Sequence, residues 1–255
     1  MDVVILAGGE TPAALAETLG TSTPDERALI EISGRPCIAY LLDSLRMVNG
    51  VGALVCVGGP RTLAWLAEFA PEVLRVEAKA TLVENLLTGA ACATSPQILL
   101  CTVDIPLVTA QTWNEFLKHV RENDLEAAYP IVRRASVERM FPEGKRTFAT
   151  LAEGIFTGGN AFVLPRARLS EIQTVIDAAY RARKNPLAIA HLLGLGFVFK
   201  ALTKRLTILD LERKMSQVLK CRAGGIEMND ASIAFDVDKP SDFELAQKIL
   251  KENIS

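Results

Sequence analysis

Histidine is almost missing from this chain: two in 255 residues, His119 and His191. That scarcity argues against a histidine-rich metal site, and His119, beside Lys118 and Arg121 on a helix-like stretch, reads as a solvated surface residue. The five cysteines (Cys37, Cys56, Cys92, Cys101 and Cys221) are odd in number and show no CxxC or other metal spacing. Several lie in apolar stretches, where cysteine behaves as a small hydrophobe. No apolar run reaches membrane-spanning length. The opening residues carry neither a basic segment nor a small-residue cleavage site, so a cytoplasmic protein is expected. With a net charge of −2, the chain has no basic field that would draw it to nucleic acid or an anionic membrane. G-x-G-x-x-G is absent after Leu6 and G-x-x-x-x-G-K-[ST] is absent throughout, which argues against a dinucleotide-dependent dehydrogenase and a P-loop kinase.

What is present is a globular balance, 49% hydrophobic and 23% charged, long enough to bury a full core. Val3–Leu6 is an apolar run that ends in Gly8-Gly9, as a strand buried on both faces of a parallel sheet would. Ligands of open α/β sheets gather at such strand ends, where glycines let backbone N–H groups approach phosphate or base. Two more strong strands follow, Ala53–Val57 closed by Gly58-Gly59 and Gln97–Val103 ending at Asp104-Ile105-Pro106.

Helices are expected between them. Pro36 opens one with Ile38, Leu41, Leu42 and Leu45 on its buried stripe, and Arg61–Phe69 and Thr81–Ala93 form two others. Thr109 caps a helix bearing Trp113, Phe116, Leu117 and Val120 at helical spacing. Further strands are expected at Leu74–Glu77, Ala127–Val132 and Gly159–Leu164, helices at 168–183, 186–193 and 207–219, a strand at 196–201, an extended Ile226–Val237, and a last helix from Pro240. Glu10–Glu26 is Pro- and Thr-rich and reads as a loop without a core element, a candidate lid, with Arg27–Ile32 extended after it. The alternation implies an α/β, three-layer Rossmann-like fold: a mostly parallel sheet with helices on both faces, one domain over 1–255, and a small inserted β region at about 133–159.

Four segments in order carry a resemblance: Leu6-Ala-Gly-Gly9, Glu26-Arg-Ala-Leu-Ile-Glu-Ile-Ser-Gly-Arg-Pro36, Thr102-Val-Asp-Ile-Pro-Leu107 and Phe235-Asp-Val-Asp-Lys-Pro240. Over nearly its whole length the chain resembles the MobA-like NTP transferases and sugar-phosphate nucleotidylyltransferases. The resemblance implies a GT-A-type nucleotidyltransferase fold in which Leu6, Ala7, Gly8 and Gly9 cradle the nucleotide. It also implies a magnesium site at Asp104 and Asp238, with Asp236 one alternation away and so aimed elsewhere in an extended segment.

The implied partners are a nucleoside triphosphate and a small phosphorylated acceptor, with transfer of NMP and release of pyrophosphate. Asn85 is a candidate for the base, or a polar helix residue facing solvent. Thr157, Gly159 and Asn160 read as an acceptor-side wall, or as a turn into a strand. The arginine that such sequences carry shortly after the glycines is replaced by Thr11-Pro-Ala-Ala14, and the usual lysine before the next strand is Arg27. Arg27 is then the phosphate ligand, with Lys145 or Arg146 supplying the missing charge. The alternative reading is a nucleotide- or nucleotide-sugar-binding protein that keeps the fold without turnover. Asp236-Val-Asp238 also fits a glycosyltransferase, though its place before the last helix suits the nucleotidyltransferase pattern better.

Overall fold

Side chains alternate along β1 (Asp2–Ala7), and each set finds its own helical layer. Val3, Ile5 and Ala7 join the core with Ile38, Leu41 and Leu45 of α2 (Cys37–Arg46), while Val4 packs with Leu86 and Ala90 of α4 (Leu82–Ala91). The strand is therefore buried on both faces, as its unbroken apolar run implies. The computed structural model of the chain describes residues 1–20, 25–142, 144, 146–169, 171, 173 and 195–252.

Parallel pairing sets β1 between β4 (Leu54–Gly58) and β6 (Gln97–Thr102), with β5 (Leu74–Glu77) parallel outside β4. The chain then reverses. β10 (Ala161–Pro165) runs antiparallel between β6 and β7 (Ala127–Arg133), and β11 (Ala223–Met228) runs parallel to β7. β8 (Ala149–Leu151) and β9 (Gly154–Gly158) extend that end in antiparallel fashion. The sheet is thus mixed with a parallel core, and β2 (Glu31–Ile32) and β3 (Arg35–Pro36) form a separate small ribbon.

Small residues let α4 lie close to the sheet: a Cβ on Gly89 would come within 2.6 Å of Val4 Cγ1. The other face carries α2, α3 (Pro60–Phe69) and α5 (Ala110–Glu122), and Trp113 of α5 buries its ring and donates Nε1–H to Ser44 Oγ at 3.0 Å. Thr109 caps α5 as its sequence predicts, accepting the Thr112 N–H.

Several expectations are corrected. The Pro- and Thr-rich stretch holds a helix, α1 (Ala13–Leu19), whose Leu15 is fully buried in the core. Arg27–Leu29 is a 3-10 turn, and only Glu31–Ile32 is extended. The region after β7 is not purely β, because α6 (Arg134–Met140) precedes the β8–β9 hairpin. The strand expected at 196–201 is a helix, α7 (Leu195–Leu202), and Ile226–Val237 is β11 followed by a 3-10 turn at Ala231–Ala234. The helix at 207–219 is present as α8 (Ile208–Leu219), and the last helix is α9 (Pro240–Glu252). The helices expected at 168–183 and 186–193 fall mostly outside the described residues, as does His191. No helix among the described residues is long and apolar enough to cross a membrane.

Candidate functional site

The carboxyl ends of β1, β4 and β6 meet at one edge of the parallel core. After β1, Gly8 is held so close to the start of α4 that a Cβ there would sit 2.7 Å from Ala78 Cβ and 3.3 Å from Asn85 Nδ2. Glycine is needed at that turn for steric reasons alone. Asn85 is buried rather than solvent-facing: its Oδ1 accepts the Lys79 N–H at 2.5 Å, which leaves Nδ2 on the Gly8 side. Leu6 and Ala7 complete the end of β1, and the Leu6 carbonyl accepts the Val103 N–H at 3.2 Å.

Beyond β6, Asp104 is 5% exposed, and its carbonyl accepts the Val237 N–H at 2.9 Å. That bond ties the segment before α9 to the end of β6. The segment is not a strand, so the alternation that would turn Asp236 away does not operate. Asp104, Asp236 and Asp238 instead bring one carboxylate oxygen each to within 4.8 Å of one another. Arg27 enters this cluster from the 3-10 turn. Its Nη1 donates to Asp104 Oδ2 and lies 2.9 Å from Asp238 Oδ1. Its backbone N–H donates to the Gly9 carbonyl at 3.1 Å, fixing the turn against the glycines.

Charge and burial shape the groups further. Burial works against the Arg27 charge, yet the carboxylates of Asp104, Asp238 and Asp236 outweigh it and raise the guanidinium pKa. Burial likewise pushes the Asp236 carboxyl up to about 6; Arg146 pulls it down, and Asp238 and Asp104 add to the rise. Arg146 stacks over Phe235 at 4.7 Å and donates to Asp236 through both Nη1 and Nη2, the latter to the carbonyl at 2.9 Å. Nearby, burial and the Asp104 charge raise the Cys37 thiol, and its Sγ meets the Val103 carbonyl.

Arg27, Asp104 and Asp238 therefore touch one another. Asp236 joins them against expectation, and Arg146 reaches the cluster through Asp236. Asn160 sits beside them by backbone, accepting the Thr102 N–H and donating to the Ile233 carbonyl. The glycines of the supposed acceptor wall have packing reasons: a Cβ on Gly158 would strike Tyr129 Oη at 1.7 Å, and one on Gly159 would meet Pro130 Cγ at 2.7 Å. Thr157 lies on β9 opposite Val132, where its side chain makes no hydrogen bond among the described residues. Lys145 lies outside the described residues.

Sequence reasoning missed Glu26, whose carboxylate accepts the Arg61 and Thr62 N–H groups at 2.9 and 2.7 Å. Its only sequence signal is its place next to Arg27.

The cluster suits a hard divalent cation. Its donors are all carboxylate oxygens, and Asp104 Oδ1 is buried without a hydrogen-bond partner among the described residues. Among the described residues, three carboxylates face two guanidiniums here, an excess of one negative charge.

Comparison with known proteins agrees with the fold. A hypothetical transferase from Thermus thermophilus superposes with a TM-score of 0.78 at 29% identity, covering 95% of this chain and 98% of that one. A CMP:2-keto-3-deoxy-manno-octonic acid synthetase complexed with CTP gives 0.62 at 14% identity, with 98% of each chain covered. The 2-C-methyl-D-erythritol 4-phosphate cytidylyltransferase of Thermus thermophilus gives 0.54 at 16% identity, again with 98% of each chain covered. The last two share the fold with this chain. No curated protein matches it. Residues 3–191 match the MobA-like NTP transferase domain, and the chain belongs to that family.

Proposed function

We propose that residues 1–255 form one nucleotidyltransferase domain that moves an NMP group from a nucleoside triphosphate to a small phosphorylated acceptor. An acceptor phosphate oxygen attacks the α-phosphorus, the bond to the β-phosphate oxygen breaks, and pyrophosphate leaves. The observation that carries this reading is the convergence of Asp104, Asp236, Asp238 and Arg27 beside the Gly8-Gly9 turn.

Such a transfer depends on positioning and charge neutralisation more than on a protein nucleophile. The backbone of Leu6–Gly9 would line the nucleotide, with Asn85 Nδ2 offering a donor toward the base. Arg27 would bind phosphate oxygens with its forked donors. Asp104 and Asp238, joined by Asp236, would hold magnesium, which neutralises phosphate charge when bound. Arg146 would keep Asp236 in place, and Thr157, Gly159 and Asn160 remain the proposed acceptor side.

A thermal-shift panel of ATP, GTP, CTP and UTP, with and without magnesium, tests the reading beside Asp104→Ala. A triphosphate at a hundred times its dissociation constant stabilises its binder by about 2.7 kcal/mol. One triphosphate should stabilise the wild type only with magnesium, and Asp104→Ala should lose the effect. No shift with any of the four would overturn it. Binding without pyrophosphate release across a panel of phosphorylated acceptors would favour the turnover-deficient reading, which the lack of any basic residue between Gly9 and Arg27 motivates.

A further inference from the structure

We propose that Arg27 is an exchangeable occupant of the three-carboxylate cluster: its guanidinium holds Asp104 and Asp238 together, and it leaves them for the triphosphate when a divalent cation takes the carboxylates. The inference rests on the proposed function and assigns one residue two successive partners.

Three observations carry it. First, Nη1 alone bridges carboxylates from two separate segments, Asp104 after β6 and Asp238 before α9, so the guanidinium sits where a cation would bind both. Second, the pairing is unsaturated. Arg27 Nε is buried without an acceptor and Asp104 Oδ1 without a donor among the described residues. A buried ion pair with such unmet groups gains little net stability and is readily exchanged for better-matched partners.

Third, the side chain already passes the phosphate-binding turn. A Cβ placed on Gly9 would find Arg27 Nε at 4.0 Å, while the Arg27 backbone is held by the Gly9 carbonyl and by the Ile30 N–H. Rotation of the side chain alone can then carry the guanidinium from carboxylate to phosphate. The sequence favours the double role, because no basic residue precedes Arg27 and the other guanidinium of the cluster, Arg146, is engaged by Asp236. A single guanidinium cannot neutralise the carboxylates and grip a triphosphate fully at the same time. Cation and triphosphate binding are therefore coupled in both directions.

The test uses the full chain and two probes without nucleotide. Manganese alone is titrated by electron paramagnetic resonance into the wild type, Arg27→Gln and Asp104→Asn. Removing the competing charge should tighten manganese binding roughly tenfold in Arg27→Gln. In parallel, the Arg27 Nε–H signal of the wild type, assigned by its loss in Arg27→Lys, is followed by NMR during titration with magnesium. Expected is a move from a protected to a solvent-exchanging signal as magnesium saturates. An unchanged Arg27 signal at saturation, or manganese affinity in Arg27→Gln equal to or weaker than wild type, overturns the exchange. Manganese binding that survives Asp104→Asn instead refutes the assignment of the metal site itself. The NMR arm needs only the native protein and Arg27→Lys, which keeps the charge, so a folding failure of Arg27→Gln does not remove the test.

Discussion

Glu26 caps a helix to which it does not belong: its carboxylate accepts the backbone N–H of Thr62 at 2.7 Å and the Thr62 hydroxyl at 2.5 Å. The residue at the N-cap of α3 is Gly59, which has no side chain to offer, and a Cβ there would lie 2.5 Å from Glu26 Oε1. Glycine thus makes room for a carboxylate delivered from the turn that carries Arg27. Glu26→Ala should lower unfolding free energy by about 1–2 kcal/mol, measured by urea denaturation. Glu26→Gln keeps an acceptor but loses the charge at the helix N-terminus, so a loss nearer to roughly 0.3–1 kcal/mol is expected. Equal losses in the two variants would count against this account.

The Gly8 turn gives a paired prediction. Gly8→Ala sets a methyl 2.7 Å from Ala78 Cβ and should cost about 1–3 kcal/mol. Ala78→Gly removes the atom it strikes. The double variant should recover most of the loss, a coupling that a double-mutant cycle by chemical denaturation would measure. If Ala78→Gly restored nothing, the glycine would be needed for the 3.3 Å approach of Asn85 Nδ2 rather than for this contact.

The parts of the site that were legible in sequence are those fixed by strand ends. An apolar run closed by Gly8-Gly9, and another ending at Asp104, announce where a parallel core stops. What stayed hidden depends on contacts distant in sequence. Leu195–Leu202 carries phenylalanines and a valine suited to a strand, yet Phe197 packs with Phe156 and Leu206, and tertiary contact sets a helix. α1 is hidden because its buried contact is largely Leu15, too little for a periodic pattern. Asp236 was misread because alternation holds only in strands, and the Val237 N–H is taken by Asp104 rather than by a neighbouring strand.

Asp2 gives the pH prediction. It is 4% exposed at the start of β1, where burial alone would raise its pKa. The N–H groups of Ser95, Thr94 and Ala53 overcome that and hold the carboxyl well below the usual range. The unfolded chain therefore binds the proton more readily, and stability from Asp2 is present above about pH 4, then is lost as pH falls toward the depressed native value. Asp2→Asn should melt lower than wild type at pH 7, with the gap narrowing in scans taken progressively below about pH 4. A gap that stayed constant with pH would show that the Asp2 charge contributes nothing.

Arg146 tests how the cluster is held together without a cation. Its side chain is 10% exposed, stacked on Phe235 and bonded to both the carboxylate and the carbonyl of Asp236. Removing it strips the cluster of one of two countercharges and leaves the Asp236 carbonyl without that donor. Arg146→Gln should lose about 2 kcal/mol of stability, the scale of a hydrogen bond to a charged group. Lysine keeps the charge but cannot bond the carboxylate and the carbonyl through a planar fork, so Arg146→Lys should recover only part of the loss. If lysine restored all of it, charge alone would account for Arg146, and the bidentate contact with Asp236 would carry no weight.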